Sequence, residues 1–270
     1  MSDDTAKMSR KTYIVGPQDP DNHTHTIIFL HGRDSECEEF ASELFESEAS
    51  IPIGQPRTLP HRLRNVRWVF PSAPLLSSAR FGAVMSQWFD MWSVENPEER
   101  VELQEEGLRI SVNVILNVIQ QEESLVPRQN IFLSGISQGF ATALATFFSD
   151  GQGFAGLIGL CSWMPLSNTI NDLVAIRHEK TELLNALQNA FLRPPNRQVD
   201  PVAIISTPVF LGHAIDDEVV PIQNGKRMRD ILRDLNFSVD FHEYQDGGHW
   251  INEPAGVDDI VNFVAKICGT

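Results

Sequence analysis

Gly135-Ile136-Ser137-Gln138-Gly139 follows directly on the apolar run Ile131-Phe132-Leu133 and precedes a helix-like stretch. A serine on a sharp strand-to-helix turn is pushed out above the sheet, and only small flanking residues tolerate that backbone. The five letters alone are a weak signal. With Gly and Ser each near ~7% of residues, a chain of this length yields ~0.1 such matches by chance. A Gly-rich turn whose serine caps a helix is the plain alternative, so the surroundings decide.

Working outward, short apolar segments alternate with helix-like ones. Strands are predicted at 11–15, 26–30, 66–70, 131–134, 155–160, 208–212 and 239–244, and helices at 38–48, 100–120, 138–148, 171–191, 223–235 and 258–267. Several strands are apolar without alternation, as strands covered on both faces are. The β-α-β-α order implies a doubly wound, mostly parallel α/β sheet with helices on both faces. No repeat or low-complexity tract interrupts it. The stretch 51–64 reads as a loop. The stretch 165–206 is long for a connection; it carries Leu183, Leu184, Leu187 and Phe191 at helical spacing, then Pro194-Pro195. Two readings stand side by side for the insertion at about 166–206: a lid or pocket wall, or a surface helix packed on the sheet.

The chain has 270 residues, 42% of them apolar, enough for a single α/β domain. It carries 21 basic against 36 acidic residues, a net charge of −15, with no Lys/Arg block. That argues against nucleic acid and against stable association with an anionic membrane, while leaving a neutral acyl substrate open. Cys37, Cys161 and Cys268 are far apart, form no C-x-x-C and cannot all pair, which points to a reducing compartment. Met1-Ser2-Asp3-Asp4-Thr5 is polar and acidic, and no 18-residue apolar run follows. The expectation is a soluble cytoplasmic protein.

In an open parallel sheet the ligand site lies beyond the carboxyl ends of the strands. Four groups fall there. Ser137 is a nucleophile only if a base is within reach. His249 follows the last strand behind Gly247-Gly248, whereas His242 sits inside a strand. Asp216 or Asp217 follows the strand near 208–212; either could orient a base, or cap the helix before Pro221. Leu30-His31-Gly32-Arg33-Asp34 follows the second strand and can offer a backbone N–H to an oxyanion, as can Gln138 beside the serine. The order Ser, Asp, His matches that of α/β-hydrolases.

These segments together resemble the acyl-protein thioesterase/lysophospholipase/carboxylesterase group of small serine α/β-hydrolases. The resemblance rests on Phe29-Leu30-His31-Gly32, Pro71-Ser72-Ala73-Pro74, Gln87-Trp88-Phe89-Asp90, the Gly135–Gly139 turn, Cys161-Ser162-Trp163-Met164-Pro165-Leu166, His213 through Pro221, and Gly248-His249. It covers about residue 26 to the C-terminus. It implies Ser137 as nucleophile, His249 as base, Asp217 as acid, and the N–H groups of Arg33 and Gln138 as oxyanion donors. The chain departs from the family pattern at three places: Arg33-Asp34-Ser35 where a second glycine is usual, Phe140 where a glycine often follows the elbow, and Ala214-Ile215 where Gly-Asp is common.

The resemblance implies hydrolysis of carboxylic esters or acyl thioesters through an acyl-enzyme, with no metal or organic cofactor. The substrate would be an acylated small molecule, lipid or protein, and the enzyme a monomer or homodimer. Leu75, Leu76, Trp88, Trp163 and Met164, with Phe81, Met85, Met91 and Trp92 nearby, are candidates for an acyl groove; a core role is the alternative and is favoured for Trp88. Two other readings stand beside this one: a non-catalytic ligand-binding protein on a hydrolase fold, and an α/β-hydrolase of different reaction class, such as peptide cleavage.

Overall fold

The computed structural model describes residues 11–176, 179–191 and 198–269. Nine strands and nine α-helices lie among them. In chain order they are β1 (Thr12–Val15), β2 (His25–Leu30), α1 (Cys37–Leu44), α2 (Leu59–Arg62), β3 (Val66–Pro71), β4 (Leu75–Ser78), β5 (Ala83–Ser86), α3 (Gln104–Glu122) and β6 (Ile131–Ile136). There follow α4 (Gln138–Asp150), β7 (Gly156–Leu160), α5 (Ser167–Ile176), α6 (Lys180–Ala190), α7 (Pro201–Ser206), β8 (Val209–Ala214), α8 (Ile222–Asp234), β9 (Val239–Tyr244) and α9 (Ala255–Cys268).

Seven strands form one sheet in the order β1-β3-β2-β6-β7-β8-β9. Only β1 runs antiparallel to its neighbour. Successive side chains point to opposite faces, and the two apolar cores follow that parity. Ile28, Leu30, Leu133, Leu157 and Leu211 join α3, α4 and α8 on one face. Ile27, Phe29, Phe132, Ile158 and Phe210 join α1 and α9 on the other. The expected α/β-hydrolase architecture is therefore present, with the strands covered on both sides. Register then lines up the strand ends: Leu30 pairs with Gly135, Gly135 with Gly159, and Leu160 with Gly212.

Two differences from the expected elements have physical causes. The hairpin β4–β5 lies outside the main sheet. Its sequence, with Leu75 67% exposed and Val84 65% exposed, lacks the alternation by which half-buried strands are recognised. The helix predicted at 171–191 is two helices, α5 and α6, with 177–178 outside the described residues. α6 buries Leu184 and Leu187, and Phe191 stacks on Phe148 of α4 at 5.5 Å between ring centroids. α7 is capped by Asp200, whose carboxylate accepts from Val202 N at 3.1 Å and Ala203 N at 3.0 Å. An Asp-Pro cap is a start signal. Pro194-Pro195 lies outside the described residues. Among the described residues no helix is long and apolar enough to cross a membrane.

Phe140, unusual after the elbow, does not enter the cavity beside Ser137. It is fully buried, and its ring covers Gly159 of β7 so closely that a Cβ there would stand 2.3 Å from the ring. Large and small residues are thus matched. Gly159→Ala should overpack this contact and lower stability by about 1–3 kcal/mol in urea unfolding. In the Gly159→Ala/Phe140→Leu double variant the loss should be smaller than the two single losses added. Simple additivity would mean that the two residues do not share this space.

Candidate active site

The turn between β6 and α4 holds Ser137 at φ 55° and ψ −128°, a left-handed backbone that a non-glycine residue adopts at a cost of roughly 1–3 kcal/mol. The glycines on either side permit it. A Cβ on Gly135 would stand 2.5 Å from the Phe140 amide nitrogen, and one on Gly139 would stand 2.3 Å from the Leu30 carbonyl oxygen and 2.5 Å from that of His31. Ser137 N donates to Leu160 O at 2.9 Å, and the Ser162 hydroxyl donates to Ser137 O at 2.7 Å. The Gln138 side chain is tied on both ends: Oε1 accepts from Trp88 N at 2.9 Å and Nε2 donates to Phe89 O at 2.8 Å. Its backbone N–H belongs to the first turn of α4, where no intrahelical acceptor exists.

The loop after β2 is braced from below by His31. This buried ring accepts from Ala73 N at 3.1 Å through Nε2, so Nδ1 carries the proton and donates to Gly32 O at 2.7 Å. Trp88 Nε1 donates to His31 O at 2.8 Å. Where the family has a second glycine, Asp34 takes the left-handed conformation at φ 60°, and its N–H donates to Ser86 O of the hairpin at 2.7 Å. Asp is among the few residues that tolerate this region, so the loop keeps its course without the glycine.

Asp217 and His249 meet beyond the ends of β8 and β9. His249 Nδ1 donates to Asp217 Oδ2 at 2.8 Å, and Oδ1 accepts from Val219 N and Val220 N, both at 2.9 Å. The carboxylate is fully shielded from solvent. Burial alone would push its pKa up. The hydrogen bonds from His213 and His249, the His249 charge and the Val220 amide outweigh burial and hold it well below the usual carboxylate range. His213 is a further residue of this group: its Nε2 lies 2.8 Å from Val220 O and 3.3 Å from Asp217 Oδ2. Asp216, left beside Asp217 by the sequence, has a different task. Its Oδ1 accepts from Gly248 N at 2.9 Å and pins the loop that carries His249.

Cys161, at φ 48°, brings its thiol to 3.4 Å from Trp250 O. Its sulfur, an Asp217 oxygen and a His249 nitrogen all lie within 4.8 Å of one another. Burial and then Asp217 push the thiol far above its ordinary pKa. Both Asp217 oxygens are committed to His249 and to the Val219 and Val220 amides, and the thiol packs under the histidine loop.

Ser137, Gln138, Gly32, Arg33 and His249 line one cavity of about 270 Å³, with Val219 and Trp250. The structure thus brings together four of the expected site residues, with Asp217 behind His249. It does not bring the acyl-groove candidates to this cavity among the described residues. Trp88, Trp163 and Met164 are buried in the core, while Leu75 and Leu76 lie on the β4–β5 hairpin. Residues of the 166–206 stretch line a different cavity of about 390 Å³, where Thr169 and Phe191 face Leu108 and Val112 of α3.

A profile of the phospholipase/carboxylesterase family matches residues 11–186. The chain belongs to the phospholipase/carboxylesterase family. Membership makes it a hydrolase of ester-type acyl bonds. A profile of the prolyl oligopeptidase family matches residues 111–269, so the two overlap on the segment that carries Ser137. The chain is similar to acyl-protein thioesterase 1 of Yarrowia lipolytica, at 29% identity over 90% of this chain and 92% of that protein. It is equally similar to that of Gibberella zeae, at 29% identity over 90% and 91%. In fold it is similar to acyl-protein thioesterase 2 of Zea mays, with a TM-score of 0.68 and 24% identity over 96% of this chain and 99% of that one. Arabidopsis thaliana SOBER1 gives a TM-score of 0.66 and 22% identity over 91% and 99%.

Burial pushes His31 down to about 4, against the smaller opposing effect of its bond to Gly32. The unfolded chain takes up this proton near pH ~6.5, so it binds more protons than the folded state between the two values. Stability should therefore fall as pH drops from ~6.5 toward 4, by about 3 kcal/mol in full from this group. Urea midpoints followed over that range should show a shallower pH slope for His31→Gln than for wild type. Coincident slopes would remove His31 as the source.

Proposed function

We propose that the protein is a serine hydrolase of carboxylic esters and acyl thioesters in which Ser137, His249 and Asp217 form the catalytic triad. The observation that carries this reading is the His249–Asp217 hydrogen bond at 2.8 Å, with His249 and the strained Ser137 on one cavity wall. Ser137 Oγ attacks the acyl carbonyl while His249 Nε2 takes its proton. Asp217 holds the tautomer and stabilises the imidazolium. The backbone N–H groups of Arg33 and Gln138 receive the oxyanion, each worth about 3–4 kcal/mol in comparable sites. His249 then protonates the leaving alcohol or thiol, and water releases the acyl group. Thioesters enter the reading through the acyl-protein thioesterases among the relatives.

The three free thiols support a reducing, cytoplasmic setting, and the net charge of −15 supports substrates other than nucleic acid. The chain acts as one domain, with Leu166, Thr169 and Phe191 of the 166–206 stretch forming a pocket wall against α3 and α4.

A fluorophosphonate should label Ser137 in the folded protein. Ser137→Ala should abolish labelling and lower kcat on p-nitrophenyl acyl esters by roughly 10³-fold or more, with Asp217→Asn in a similar range. A Ser137→Ala variant as active as wild type would overturn the assignment and favour a binding protein. The donors around Asp217 hold it ionised well into acid, so it remains a charged partner for the imidazole.

The match to the prolyl oligopeptidase family favours peptide cleavage as the second reading. Rates on matched p-nitrophenyl ester and peptidyl p-nitroanilide substrates separate the two. The first reading expects the ester to dominate, whereas a dominant peptidase rate would replace it.

A further inference from the structure

Arg33 enters the mechanism only through its backbone; its side chain stands apart from the other arginines. Among the described residues its guanidinium makes no ion pair, and Nη1 is sealed from solvent without a hydrogen-bond partner. Its Cζ lies 5.3 Å from the centre of the Phe81 ring at the tip of the β4–β5 hairpin. Arg80 shares that ring at 5.7 Å, but is satisfied elsewhere, donating to Trp92 O at 2.6 Å and lying 3.8 Å from Glu95. A partly buried guanidinium without a counter-ion is under-satisfied, and its planar fork fits a carboxylate or phosphate.

The position gives this charge a meaning. Arg33 lines the same cavity as Ser137 and His249. The protein as a whole is strongly acidic, so its long-range field repels anionic substrates. Preference for them must come from a local contact. Asp34, Asp90 and Glu95 act on Arg33 through space without forming an ion pair with it among the described residues, and Glu43 lies on the same cavity wall. Asp90 Oδ2 is taken by Ala79 N at 3.0 Å. Its Oδ1 is buried without a partner, which makes a water-bridged Arg33–Asp90 pair the rival explanation.

We propose that the Arg33 side chain makes this enzyme selective for esters or thioesters that carry a carboxylate or phosphate close to the scissile acyl group. This deepens the serine hydrolase reading and rests on it. With Nη1 sealed, Nε and Nη2 are the donor pair left for the anion, and Phe81 holds the guanidinium in place from one face by cation–π attraction.

Two matched pairs test it. The first, p-nitrophenyl butyrate against p-nitrophenyl hemiglutarate, puts a carboxylate on the acyl side. The second, 1-hexanoylglycerol against its 3-phosphate, puts a phosphate on the leaving group. In one pair or both, wild-type kcat/KM should favour the anionic member by about tenfold or more, the gain expected of a charge-assisted fork. Arg33→Gln should bring that ratio close to one, and Arg33→Lys, which keeps the charge but loses the fork, should fall between. The pair that responds identifies the source of the anion. A wild-type ratio of one or less in both pairs overturns the proposal, even if Arg33→Gln does not fold. So does an equal loss on both members in Arg33→Gln, the result the Asp90 pairing would produce. Failure here with Ser137 labelled and neutral esters turned over leaves the hydrolase reading intact; no turnover of any ester would instead remove that reading itself.

Discussion

The site depends on one close approach of backbone to backbone. The first turn of α4 lies so near the end of β2 that the carbonyl oxygens of Leu30 and His31 occupy the space where a Cβ on Gly139 would be. This contact sets the distance between the nucleophile's helix and the loop that carries Arg33. Ser137 and the two N–H groups proposed for the oxyanion are therefore positioned by main chain, which cannot relax as a side chain can. Gly135 closes the turn from the other side against Phe140 N. The strain at Ser137 is held by two parallel ladders and two glycines, and is sustained by the packing of the whole sheet.

Around this rigid centre the polar groups are arranged in layers. His31 is buried and neutral, serving the Gly32 carbonyl and the Ala73 amide. Gln138 spends its side chain on the Trp88–Phe89 backbone. Asp217 is over-supplied with donors, which keeps it charged in a dry setting. Asp216 holds the other end of the histidine loop. Arg33 is the exception: its side chain has an aromatic neighbour and no acceptor, and that imbalance gives the cavity a chemical preference of its own.

The departures from the family pattern resolve differently when each is followed into the fold. Asp34 adopts the left-handed backbone that a glycine would otherwise supply. Phe140 turns into the core over Gly159 and leaves the cavity alone. Ala214 ends β8 buried, and Ile215 bonds to Tyr244 O at 2.8 Å, continuing the ladder to β9. A change in one residue type is absorbed where a neighbouring residue is small enough or the backbone is permissive.

The parallel sheet, its strand ends and the positions of Ser137 and His249 were legible in the chain alone, because buried strands are continuous apolar runs and sharp turns demand glycine. The roles of Asp216 and Asp217 were not separable by composition or spacing; only the path of the loop after β9 decides which carboxylate meets the imidazole and which meets an amide. The β4–β5 hairpin escaped because its apolar Leu75 and Val84 face solvent while its buried positions are the serines Ser78 and Ser86, the reverse of the usual pattern. Trp163 and Met164 were candidates for a groove and Trp88 for the core, and the tertiary structure buries all three. A large apolar side chain reports that it will be buried, but not whether its neighbours will be protein or ligand. That choice is made by how helices and sheet close around the space, which no single stretch of sequence contains.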